Sequence, residues 1–136
     1  RPSRTSGAAW AMKATGGGAI ITIASILGQV GFATAGAHAA ARHAGVSLTQ
    51  EAAWEHAADG VRVNAVGPGL IANQRAAQRL VKPDEVAELV AWLASGSSSF
   101  LTGCYLPMDV PHPAKVPTVM YPDHIDSPMA SSRRTD

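Results

Sequence analysis

The order of segments in this sequence predicts an α/β fold of three layers, a short parallel sheet with flanking helices. Three observations carry that expectation. A β-branched run, Ala19-Ile20-Ile21-Thr22-Ile23-Ala24, follows the glycines at 16–18; a proline-free, alanine-dense stretch occupies 34–58; and a second run, Val61-Arg62-Val63-Asn64-Ala65-Val66, ends at Gly67-Pro68-Gly69. Strand-like and helix-like segments that alternate in this way belong to parallel sheets with crossover helices.

Each element has its own local reason. The first run is apolar almost without interruption, which suits a strand covered on both faces. Through 34–58 the small residues Ala37, Ala40, Ala41, Ala44 and Gly45 favour helix and allow close approach of a neighbouring element, and Gly60 ends the helix. After a polar connection from Asn73 to Arg79, Pro83-Asp84-Glu85 places proline and two acids in the first turn of another helix. Val86, Leu89, Val90 and Leu93 recur on one face of it. A third strand is expected from about Gly103 to Met108.

Length and charge bound the function. A chain of 136 residues fits one domain, read here as 1–109. Residues 110–136 contain five of the nine prolines and are read as an extended or disordered tail. The formal charge of +1 lacks the basic excess that nucleic-acid binding requires. Cys104 has no partner for an intramolecular disulfide, and no run of signal-peptide or membrane-span length is present, so a soluble cytoplasmic protein is expected. No metal site is expected: His38 and His43 are five apart, off the i, i+4 spacing of a helical site, and His56, His112 and His124 are scattered. Trp54 and Trp92 are read as packing residues on helices.

Several blocks in order resemble the second half of the short-chain dehydrogenase/reductase family. Ile21-Thr22-Ile23-Ala24-Ser25 is similar to the strand that ends in the family's catalytic serine, and Arg42-His43-Ala44-Gly45-Val46-Ser47-Leu48-Thr49 to the helix with its active-site lysine. Residues 61–69 resemble the strand and Pro-Gly turn beside the nicotinamide. Lys82-Pro83-Asp84-Glu85-Val86-Ala87 and the segments Leu101-Thr102-Gly103 and Leu106-Pro107-Met108-Asp109 resemble its last helix and strand. The resemblance implies a partial Rossmann-like fold and an oxidoreductase that acts on alcohols or ketones with NAD or NADP.

The resemblance also assigns a site, with changes. In the family a tyrosine stands thirteen positions after the serine and a lysine four beyond that; here those positions hold His38 and Arg42 after Ser25. Residues four apart share a helix face, so the spacing of the pair is kept. A nearby guanidinium opposes protonation of an imidazole, so the expected site accepts a proton more readily than it donates one. Pro68, Gly69, Ile71 and Asn73 occupy the matching cofactor positions, although the family often has threonine where Asn73 stands.

The family's glycine-rich phosphate loop has no counterpart. The glycines at 16–18 precede a strand, whereas a dinucleotide loop lies between a strand and a helix N-terminus. The expectation is a chain that is inactive or incomplete alone. It is either a catalytically silent oligomerising or binding remnant, or one half of a split enzyme. The strand from Ile20 to Ala24 would have an open edge, so the expected partners are a second copy of the chain or a complementing N-terminal half.

Overall fold

Both β-branched runs lie in one sheet. The computed structural model describes residues 4–32, 34–69, 81–108 and 119–120. The elements in chain order are α1 (Arg4–Ala14), β1 (Gly18–Ile23), β2 (Gly31–Phe32), α2 (Gly36–His56), β3 (Val61–Pro68), α3 (Pro83–Ala94), β4 (Tyr105–Met108) and β5 (Val119–Met120). Strands β1, β3 and β4 form a parallel sheet in that order, and β2 pairs with β5 in a separate parallel bridge. Register runs from Gly18 opposite Val61 to Ile23 opposite Val66, and from Ala65 opposite Tyr105 to Pro68 opposite Met108.

Alternation along β3 decides what lies on each face. Val61 and Val63 are buried with Ala9 of α1 and Ala52 and Ala53 of α2, and Met12 and Ile20 pack against them. Ala65 continues this face toward Val46, Ala24 and Tyr105. The intervening Arg62 reaches the last turn of α3, where Leu93 is buried. Helices α1 and α2 therefore cover one face and α3 the other, which is the expected three-layer α/β arrangement.

Helix α2 buries Ala39, Val46, Thr49, Ala52 and Ala53, a stripe of mostly small residues that brings its axis close to the sheet. Thr49 Oγ1 lies 3.0 Å from Thr22 Oγ1, so even its polar core residue is paired to β1. Gly60, with φ of +73°, ends this segment in the left-handed conformation that glycine adopts most cheaply. Helix α3 starts as expected with Pro83 at its first turn, and Glu85 Oε2 accepts from the Lys82 backbone N–H at 2.9 Å.

The fold departs from expectation in three places. Helix α1 has no counterpart in the sequence reading: no acid marks its first turn, and Ala9 is its one buried residue among those whose burial is described. Strand β3 continues through Gly67 and Pro68 instead of ending at Val66; a proline can occupy the strand's last position, where β4 is its partner. Trp54 is 89% exposed and Trp92 41%, so neither is a core residue of this chain. The tail from 110 lies outside the described residues except for Val119–Met120. No described helix is long and apolar enough to cross a membrane.

One carboxylate ties α1 to the end of α2. Lys13 Nζ is 2.6 Å from Asp59 Oδ1, and His56 Nδ1 is 3.3 Å from Asp59 Oδ2. The Lys13 hydrogen bond, then that of His56, holds the Asp59 carboxyl below its ordinary range. A carboxyl with a depressed folded-state pKa stabilises the fold above its unfolded value, about 3.9, and that contribution is lost as pH falls through the folded value. Urea unfolding followed between about pH 5 and pH 2 should therefore show a shallower acid-side loss for Lys13→Met and Asp59→Asn than for the parent chain. Identical slopes would mean that the ion pair is not made in solution.

Candidate active site

Parallel strands bring their carboxyl ends to one edge of the sheet, and ligands of open α/β sheets bind beyond that edge. Ser25 lies there. Sheet pairing continues one residue past β1, with Ala24 N–H donating to Val66 O at 2.8 Å, so the position of Ser25 is set by β3. Its backbone is extended, and its Oγ accepts from Leu27 N–H at 3.2 Å, capping the single 3₁₀ turn Ile26–Gly28. A hydroxyl used as an acceptor in this way keeps its own hydrogen for a ligand oxygen.

Arg42 comes to the same edge from α2. Its Nη1 donates to Ile23 O, the last carbonyl of β1, at 3.1 Å. Gly28 permits the approach: a Cβ at that position would lie 2.8 Å from Val46 Cγ2 and 3.3 Å from Arg42 O, so only a residue without a side chain lets the turn sit against the helix. The segments with Ser25 and Arg42 are thus packed together. Among the described residues no carboxylate pairs with the Arg42 guanidinium.

His38 lies one turn before Arg42 on α2, where it is exposed and its side chain forms no hydrogen bond among the described residues. His43, by contrast, is turned back on its own helix, with Nδ1 2.9 Å from Ala39 O. Pro68 is buried at the end of β3, and the Gly69 N–H donates to Met108 O at 2.8 Å, so that amide is engaged within the protein. Ile71 and Asn73 lie outside the described residues.

Sequence reasoning missed Tyr105. Its hydroxyl donates to Ser25 O at 2.7 Å from a strand 80 residues away. The only local signal was an aromatic residue in a strand facing two glycines, Gly28 and Gly67, and nothing in the sequence says that those glycines lie beneath its ring.

Comparison with known proteins agrees with this geometry. The family model of the short chain dehydrogenases matches residues 3–84. The cis-4-hydroxycyclohexanecarboxylate dehydrogenase of Sinomonas cyclohexanicum is 43% identical over 114 residues, a match that covers 72% of this chain and 46% of that protein. Among solved structures, acetoin dehydrogenase YohF from Salmonella typhimurium superposes with a TM-score of 0.71 at 38% identity, over 75% of this chain and 46% of that one. A structure of ElxO with NADP bound gives 0.70 at 30% identity, over 75% and 49%. The chain spans about half the length of the relatives it matches.

Proposed function

The chain belongs to the short-chain dehydrogenase/reductase family, and on that premise we propose that it supplies the serine-bearing half of an NAD(P)-dependent oxidoreductase acting on alcohols or ketones. The observation that carries the reading is the hydrogen bond from Arg42 to the last carbonyl of β1, two residues before Ser25, because it brings two of the three inherited positions to one sheet edge. In this reading the Ser25 hydroxyl donates to the substrate oxygen. His38 takes the hydroxyl proton as an alcohol is oxidised.

The donor set of Arg42 fits the ribose of a nicotinamide cofactor. A guanidinium has five N–H groups, and one of them is committed to Ile23 O, which leaves donors for ribose hydroxyls. Pro68, Gly69, Ile71 and Asn73 would lie along the same cofactor by family position. Bound NAD or NADP would supply the hydride acceptor for the carbinol hydrogen. The cis-4-hydroxycyclohexanecarboxylate and acetoin dehydrogenases both act, by name, on compounds with a secondary alcohol, so that is the substrate class proposed here.

The proposal includes a requirement. Strand β1 is bonded to β3 on one side only among the described residues, and Ile23 at its end is 49% exposed. An apolar strand with an open edge recruits another strand. That strand would come from an N-terminal half, either in the same polypeptide or in a second chain, and a cytoplasmic homo-oligomer remains the family expectation. A silent remnant is the competing reading, favoured by the exposed imidazole of His38, which has no hydrogen bond among the described residues, at the position of the family's tyrosine.

Activity with NAD or NADP and a panel of cyclic and acyclic secondary alcohols decides between them, measured with and without the first half of a close relative. Turnover that appears on complementation and falls by about 10²–10³ in Ser25→Ala is the expected outcome for a lost donor to the substrate oxygen. Absence of cofactor binding in every combination would establish the silent remnant instead.

A further inference from the structure

We infer that Tyr105 is the positioning residue for Ser25, acting through the serine's backbone carbonyl; this role in catalysis rests on the oxidoreductase reading above. The turn after β1 has little to hold itself. Its internal bonds are the Leu27 N–H to Ser25 Oγ cap at 3.2 Å, Gly28 N–H to Ser25 O at 2.8 Å, Gln29 N–H to Ile26 O at 3.0 Å and Val30 N–H to Ile26 O at 3.3 Å. One 3₁₀ turn with such bonds opens easily when nothing outside it is attached.

Beside the packing of Gly28 on α2, Tyr105 supplies a hydrogen-bonded attachment. Its backbone is fixed by register opposite Ala65, its ring packs against Ala24, Val46 and Ala65, and its hydroxyl donates to Ser25 O at 2.7 Å. The ring needs Gly67 in order to lie there. A Cβ on Gly67 would overlap the Tyr105 hydroxyl, whereas one on Gly28 would make only an ordinary contact with the ring, 3.6 Å from Tyr105 Cε2. A rigid path therefore runs from the central strand through an aromatic ring to the carbonyl of the candidate catalytic serine. That path sets where Ser25 Oγ points, because the same residue's carbonyl is clamped by both the Gly28 amide and the phenol.

A phenol that merely fills the core would be replaced by phenylalanine at little local cost, so Tyr105→Phe tests the role while keeping the ring. In the full chain, the Phe variant should speed hydrogen exchange at the Gly28, Gln29 and Val30 amides by roughly tenfold, the scale of one hydrogen bond, and shift the Ser25 carbonyl ¹³C resonance. Exchange along β3 should be unchanged. In the complemented enzyme, kcat should fall by roughly tenfold with KM unmoved, and the substitution should add nothing in a Ser25→Ala background.

Uniformly faster exchange throughout the sheet, or no change at the three amides, would overturn the inference. So would an equal loss of kcat with and without Ser25. If no combination shows turnover, the oxidoreductase reading fails by itself, and the exchange and carbonyl measurements still decide whether the phenol holds the turn.

Discussion

Arg62→Met is expected to lower the stability of the chain by about 3 kcal/mol, one of its two largest single-site losses. Arg62 Nη1 lies 2.9 Å from Leu93 O, 3.1 Å from Ser98 O and 3.0 Å from Ser98 Oγ, and Nη2 lies 3.1 Å from Ser95 O. The last carbonyls of a helix have no partner within it, and a cation is favoured at that end by the helix dipole. One guanidinium, together with the Ser98 hydroxyl, satisfies the end of α3 and the turn after it, and so fastens that layer to β3.

Methionine retains the apolar stem but removes the charged donor from carbonyls that keep only neutral ones, the Ser98 hydroxyl for Leu93 O and Ser95 O and the Leu101 amide for Ser98 O, at about 1.5–3 kcal/mol for each hydrogen bond to a charged group. Ser95 is half-buried and Ser98 fully buried, so water can replace only part of the loss. Arg62→Lys should recover less than half, because a point charge cannot reproduce the planar fork. Urea unfolding monitored by circular dichroism measures both; a loss below about 1 kcal/mol for Met would show that the guanidinium is not holding the helix end.

Much of this architecture could be read from the sequence, because the signals that set it are local. β-branched runs gave β1 and β3 to within two residues, and Pro83 with its acids gave the start of α3. Helix α1 was illegible for the opposite reason: its place depends on Ala9 meeting Ala52 and Ala53, a contact made only after the sheet has formed. Trp54 misled because large apolar residues usually fill cores, whereas α2 uses alanines, a valine and a threonine to approach the sheet closely.

The candidate site divides in the same way. Ser25 and Arg42 were found by inherited spacing, but the acceptor of Arg42 is a backbone carbonyl 19 residues away, and backbone acceptors leave no mark in a sequence. The clamp on Ser25 from Tyr105 spans 80 residues and was equally invisible. Arg62 is one polar residue in a mostly apolar run, and its partners stand 31 to 36 residues further on.

The glycines at 16–18 show how a weak sequence signal can hide a strong constraint, and they yield the second large effect. In the sequence they do no more than precede a strand. In the fold Gly17 has φ of +118°, and a Cβ there would lie 2.5 Å from Gly60 O, a backbone atom that cannot rotate away. The close approach is what lets Gly18 N–H donate to Gly60 O at 3.2 Å, opening the β1–β3 ladder at its first residue. Gly17→Ala combines backbone strain with this collision and should cost about 3 kcal/mol or more. Gly16 and Gly60 are internal controls: φ is +94° and +73°, and neither Cβ would meet an atom closer than 3.6 Å, so each alanine should cost only the conformational strain of about 1–2 kcal/mol. Three denaturation curves thus separate strain from collision. A Gly17→Ala loss no larger than the other two would mean that the turn and the end of α2 do not meet as closely as the ladder requires.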